Sequence, residues 1–544
     1  MQDISRANCI MGYCVAALIT ACHYSLAASE VMVEILVPGS VMQAVEGIDF
    51  GPDGMIYGTS IHAQAVYRID PVSGLVSIAI AAPYGESDDV AVGPIGSPVE
   101  GVLAWTAQRT GEIRIQRPGG MPEVMMRNTP RVNPIAFTPD GRLFTAQVGA
   151  GENSIWELDL IGNNPPRLVA KNQGAVNGFG FGRDGRLYAP HFGTDQLFAI
   201  DVEEGTFRVI AEGVGSSAAA KVDANGDVWS VDYKTGDVWL TEIETSKSRI
   251  ITSFPPPLDN LTIGKDGIIY LANLAVSGII GFEPETGESW DVTVGSFTVP
   301  LGMTMTMFEG KEAILVADPF GYRFVDPENG VITRQPEMWS SGASSSVAAN
   351  DQYIVTTYTD SKRIKKIDRE TGRVLVNSTA LSTPRGIVMT SDGEVIIADS
   401  AGNRLVRLVG ANVEEVASGL NEPVDILLET ESTVLVTEVE SGTISRVSLL
   451  SGSREELISG LHDPRGLARL PDGRVVVVEP GLGMLTAFDL VTGLQTELIR
   501  GLPVSIDRLD LPTNTPLGIV VDSNGAIYVS CGADNSILRV SVGL

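Results

Sequence analysis

The sequence predicts an all-β protein built as two six-bladed β-propellers. Three observations predict it. One hairpin-forming sentence recurs twelve times along 544 residues. Its period is near 40 residues, the length that four short strands and their turns require. The last copy stops at its third strand, while a strand-like segment without partners, residues 31–37 (VMVEILV), precedes the first.

The repeated sentence is plain in VEGIDFGPDGMIYGTS (45–60), VNGFGFGRDGRLYAPH (176–191), PRGIVMTSDGEVIIAD (384–399) and PRGLARLPDGRVVVVE (464–479). A short apolar strand leads into an Asp-Gly or Asn-Gly turn, and a second apolar strand follows. Such turns suit tight hairpins because glycine accepts positive φ. A third strand ends in a turn such as RIDPVSG (68–74), AIDVEEG (199–205) or KIDRETG (366–372). A fourth, weaker strand closes each copy.

The twelve first strands are expected to begin near 46, 100, 133, 177, 218, 259, 301, 344, 385, 424, 465 and 517. Most steps are 39–44 residues, with one short and two long. Propellers carry about four to eight blades, so the division is two rings of six. The expected ranges are 31–298 and 299–544. Residues 31–37 read as an outer strand that completes the last blade and removes an exposed edge.

Residues 1–30 read as an export signal. Arg6 precedes a stretch, 9–21, that is apolar apart from Thr20, and Ala27 and Ala28 follow. The run Ile19-Thr20-Ala21-Cys22 also resembles a bacterial lipoprotein cleavage box, which would place a lipid anchor on Cys22. Either way the expected location is secreted or periplasmic. No segment reads as a membrane span: the uncharged run 268–282 is short and holds Asn273, Ser277 and Gly278. Past Cys9, Cys14 and Cys22 only Cys531 remains, so the body has no internal disulfide. The net charge of −29 repels nucleic acid and attracts cations.

A site is expected where the inner strands begin, at one mouth of each channel. Aligned on the turns, the first six repeats place Glu46, Glu100, Asn133, Asn177, Ala218 and Asp259 there. The last six place Leu301, Ser344, Arg385, Val424, Arg465 and Leu517. Three carboxylates and two amides converging without a cation would repel one another and raise their pKa values. Oxygen donors alone suit a hard ion, Ca²⁺ before Mg²⁺. Arg385 and Arg465 could clamp a carboxylate or phosphate, or neutralise Asp399, Glu438 and Glu479.

These residues resemble the six-bladed calcium-dependent lactonases and esterases, the gluconolactonase, regucalcin and paraoxonase group. Glu46 in VEGIDF, Asn133 in VNPIAF, Asn177 in VNGFGF and the pair Asp259-Asn260 carry the resemblance across 31–298. It implies a metal held by Glu46, Asn133, Asn177 and Asp259, with Asp259 also catalytic; Glu100, an extra carboxylate beside the family's pattern, joins the expected metal ligands through its place in the ring. The family's Asp sits in the fifth blade, where this chain has Ala218, and Asp232 from a fifth-blade loop is an alternative. His62 and His191 follow second strands and are further candidates for proton transfer. The general repeat texture is similar to that of NHL propellers. The expected function is an exported metal-dependent hydrolase of a small-molecule lactone or related ester. Two alternatives stay open: a non-enzymatic double propeller binding a protein or glycan, and a lyase similar to virginiamycin B lyase.

Overall fold

The computed structural model describes residues 31–542 apart from 41, 150–152, 163, 172–173, 335–343, 360 and 505–514. The export signal and Cys22 lie outside the described residues. The described strands form twelve four-stranded antiparallel sheets.

Each sheet follows from the repeated sentence. In the first blade Ile48–Phe50, Ile56–Ser60, Ala65–Ile69 and Val76–Ile80 pair in chain order. The turn between its first two strands holds Gly54 at φ 77°, and the Asp53 carboxylate accepts the Met55 N–H. The third-to-fourth turn is built by Asp70, whose Oδ1 accepts the N–H groups of Val72 and Ser73. Asp201, Asp368 and Asp489 repeat this device, which explains the recurring I-D/F-D turn motif.

Two rings close separately. Inner strands Ile48–Phe50, Val90–Val92, Val132–Phe137, Gly180–Phe181, Ser217–Val222 and Leu258–Ile263 lie side by side, the sixth against the first. Met303–Phe308, Ser344–Ala349, Pro384–Met389, Pro423–Thr430, Gly466–Arg469 and Ile519–Val521 do the same. Apolar clusters fill the seams between blades, such as Met42, Val45, Ile48, Tyr67, Ala272 and Ile279 where the first ring closes. Fully burying one such side chain contributes about 1.5–3 kcal/mol.

Val31–Val37 pairs antiparallel with Ser536–Val542, from Val31 opposite Val542 to Ile35 opposite Leu538. The last blade is therefore made from both ends of the described chain. This removes residues 31–37 from the 31–298 range and assigns them to the second ring.

The second blade differs from expectation. Its inner strand is Val90–Val92, and a long hairpin loop from Gly93 to Val102 precedes Leu103–Ala107. Glu100 lies in that loop, exposed, with its Oε2 accepting the Gly96 N–H at 2.7 Å.

The rings meet on the faces that carry the loops after their second strands. Gln43 Nε2 donates to Gly532 O at 3.0 Å, and Asn535 Nδ2 donates to Met42 O at 2.9 Å. Phe320 packs on Ala44, Leu274 and Ala275. Arg323 pairs with Asp318, donates to Ser296 O and Ala275 O, and lies over the Phe297 ring.

Candidate functional site

The backbone defines which residues begin the first ring's inner strands. Glu46 N–H donates to Thr59 O, Asp88 N–H to Thr106 O and Asn177 N–H to Pro190 O. Asp88 thus holds in blade two the place of Glu46 in blade one. Threonines on second strands fix the neighbours: Thr59 Oγ1 donates to Asp88 O, and Thr106 Oγ1 to Asn133 O at 2.7 Å. The mouth residues are Glu46, Asp88, Asn133, Asn177, Ala218 and Asp259, at steps of 41–45 residues.

Glu100 is not among them, because its hairpin loop carries it to the opposite end of the channel. Its Val-Glu-Gly context copies that of Glu46 but belongs to a turn. Asp232 is also spent elsewhere: its carboxylate accepts the N–H groups of Ser216, Lys234 and Thr235.

Glu46, Asp88 and Asp259 feel one another. Burial raises the Glu46 carboxyl well above its ordinary range, and Asp88 and Asp259 raise it further. The Ile61 N–H and Arg109 oppose this. Asp88 is raised by burial, then by Asp259, Asp89 and Glu86. Asp259 is pushed up to about 7 by burial and then by Asp89. One step deeper, Asp89 accepts the Asn260 amide across the channel at 3.1 Å and the Ile135 N–H at 3.1 Å. Its carboxyl rises to about 6 through burial, with Lys221 opposing. Gly47 makes room for it: a Cβ there would stand 2.2 Å from Asp89 Oδ1.

The rim above holds His62, Arg109 and Tyr233. His62 is buried, its Nδ1 has no hydrogen-bond partner, and burial then Arg109 lower its pKa to about 4. The Tyr233 hydroxyl is raised by burial and by Asp259 and Glu46, which places it beside both. His191 sits on the fourth-blade rim, its ring edge-on to Phe198 at 5.9 Å. Its side chain fills the space over Gly174, where a Cβ would collide with Nε2.

Sequence reasoning misses Asp88, Asp89, Arg109 and Tyr233. The even step length is the signal that finds Asp88.

The donor set suits a hard cation in its chemistry: carboxylates raised by burial and then by one another, and two amides, of which the Asn177 Oδ1 is buried without a hydrogen bond. Among the described residues no three His, Cys, Asp or Glu side chains are grouped so as to hold a metal alone. A cation here therefore needs amide oxygens beside the carboxylates.

The second mouth is different. Asp399 pairs with Arg404, Glu438 with Arg454, and Glu479 accepts the His462 N–H. Arg465 bonds Asp463 through both carboxylate oxygens. Asp399 and Glu438 thus have arginine partners from their own blades, and Arg465 is held by Asp463.

No family model and no curated protein matches the chain. Among solved structures it resembles a gluconolactonase from Xanthomonas campestris at 16% identity, over 46% of this chain and 88% of that one, with a TM-score of 0.38. A streptogramin B lyase matches at 15% identity over 60% and 93%, TM-score 0.29. A chain of a nidogen/laminin complex matches at 18% over 42% and 97%, TM-score 0.37. Likeness at this level says nothing of chemistry here, and the architecture rests on the strand pairing described above.

Proposed function

We propose that the mouth of the first channel is the active site of an exported hydrolase that acts on a lactone or related ester with the help of calcium. What supports this reading is the electrostatic coupling of buried Glu46 with Asp88 and Asp259, in the ring of strand starts where the Asn177 amide oxygen is buried and unbonded. Glu46, Asn133, Asn177 and Asp259 would hold the ion, with Asp88 in the second-blade place expected of Glu100. When bound, calcium supplies Lewis-acid polarisation and offsets the clustered negative charge. Export rests on residues 1–30 alone.

The chain's own groups do the rest. Asp259, partly open at the mouth, takes a proton from water as its oxygen joins the carbonyl carbon. The ester C–O bond then breaks, and the leaving oxygen recovers a proton. Arg109, beside Glu46, holds the acid product. His62 stays neutral and offers a hydrogen bond without adding charge.

Hydrolysis of a panel of lactones, esters and phosphotriesters tests the reading. Activity is expected to vanish with a calcium chelator and in Asp259→Asn. Activity that survives chelation would contradict it. An elimination product, carrying a double bond and no added water, would point to a lyase. In a second reading the buried carboxylates share protons and the double propeller binds a protein or glycan partner without chemistry. A melting temperature indifferent to calcium would favour it.

A further inference from the structure

The opposite end of the first channel carries a cavity of about 410 Å³ where the hairpin turns of the six blades converge. That is large enough for a small organic molecule. Phe50, Phe137 and Phe181 end the inner strands of blades one, three and four and line it. All three rings are only partly buried, and Ile95, on the lip, is 52% exposed. The lining is thus an apolar collar left open to water.

Three charged side chains line the same cavity: Asp49, Lys221 and Lys265. Asp49 is turned to the protein. Its Oδ2 accepts the Val92 N–H and its Oδ1 the Phe50 N–H, both at 2.9 Å. Thr262 Oγ1 lies 3.4 Å from Oδ1. Lys221 donates to Phe179 O at 3.0 Å, one bond for an ammonium with three donors. Lys265 follows the neighbouring inner strand, Leu258–Ile263, and is exposed. Lys221 offsets the carboxyls of Asp49 and of Asp89 behind it, so Lys265 is the lining cation left to the cavity. An exposed cation beside an apolar collar, in a chain of net charge −29, points to an anionic ligand with an apolar body.

We propose that this cavity binds a small apolar organic anion, a carboxylate or sulfonate, with its acid group on Lys265 and its apolar body on the phenylalanine collar. The site is separate from the carboxylate mouth and does not rest on the hydrolase reading.

Anilinonaphthalene sulfonate, an aromatic anion that fluoresces when sheltered from water, is the probe. The full-length protein is expected to bind it at one saturable site. Lys265→Glu and Ile95→Asp, both at exposed positions, should each weaken binding about tenfold. Lys247→Glu, on an outer strand, should leave it unchanged. Octanoate should displace the probe and uncharged octanamide should not. Absence of saturable binding, indifference to Lys265→Glu and Ile95→Asp, or equal displacement by octanamide would each overturn the proposal.

Discussion

A buried carboxyl without a cation reports on its surroundings through pH. Asp425, in the second channel, shows this apart from the candidate metal site. Burial lifts it from 3.8 to about 7, opposed by the backbone N–H groups of Leu467 and Ile426. Its native state holds the proton more tightly than its unfolded state. Its contribution to stability is therefore full below about pH 4 and is lost as pH rises through about 7. Asp425→Asn keeps an acceptor for the Leu467 N–H. The variant should melt higher than the parent at pH 8 and alike at pH 4 by calorimetry. A gain of equal size at both pH values would contradict this. His62 has the opposite sign: burial favours its neutral form. Its nuclear magnetic resonance titration should have a midpoint near 4, and a midpoint near 6.5 would mean that water reaches the ring.

At the scale of the element, most of the fold is legible because hairpin chemistry is local. An Asp-Gly turn and an aspartate that caps the next turn mark a blade without reference to the rest of the chain. The last blade is legible for another reason: a strand lacking a neighbour and a blade lacking a strand call for each other. The second blade is not legible from its turn, because residues 93–102 replace the tight hairpin with a longer loop. Inside that loop Val99-Glu100-Gly101 imitates Val45-Glu46-Gly47. Local resemblance then outweighs spacing, although the order 46, 88, 133, 177, 218, 259 is the more even one. The site inherits the same error: Glu46, Asn133, Asn177 and Asp259 come from regular blades and reach the mouth, while Glu100 does not. Arg109 and Tyr233 were out of reach because rim loops follow no period. The closing strand can be tested directly. Val33 and Val540 face each other, so Val33→Cys/Val540→Cys should form a disulfide and raise the melting temperature. Failure to cross-link would mean that the two ends do not pair.

At the scale of the whole molecule, one buried ion pair joins the rings. Asp318 is 0% and Arg323 4% exposed, and Arg323 reaches carbonyls of the first ring. Removing the cation alone strands a buried carboxylate. Arg323→Ala should therefore destabilise by about 3–5 kcal/mol in chemical denaturation, and the double variant Arg323→Met/Asp318→Leu by less. Equal losses would show that packing, not the unpaired charge, decides the interface. That interface lies beside the first mouth, since Phe320 shares a cluster with Ala44 and Tyr233. The second ring thereby helps to shelter the carboxylates.

The central claim is that Asp88, and not Glu100, completes an acidic cation site with Glu46, Asn133, Asn177 and Asp259. Calorimetric titration of metal-stripped protein with calcium tests it most directly, on the parent, Asp88→Asn and Glu100→Gln, with folding checked by circular dichroism. The expected result is one-site binding in the parent, lost in Asp88→Asn and intact in Glu100→Gln. No binding by the folded parent, or binding that survives Asp88→Asn and fails in Glu100→Gln, would contradict it.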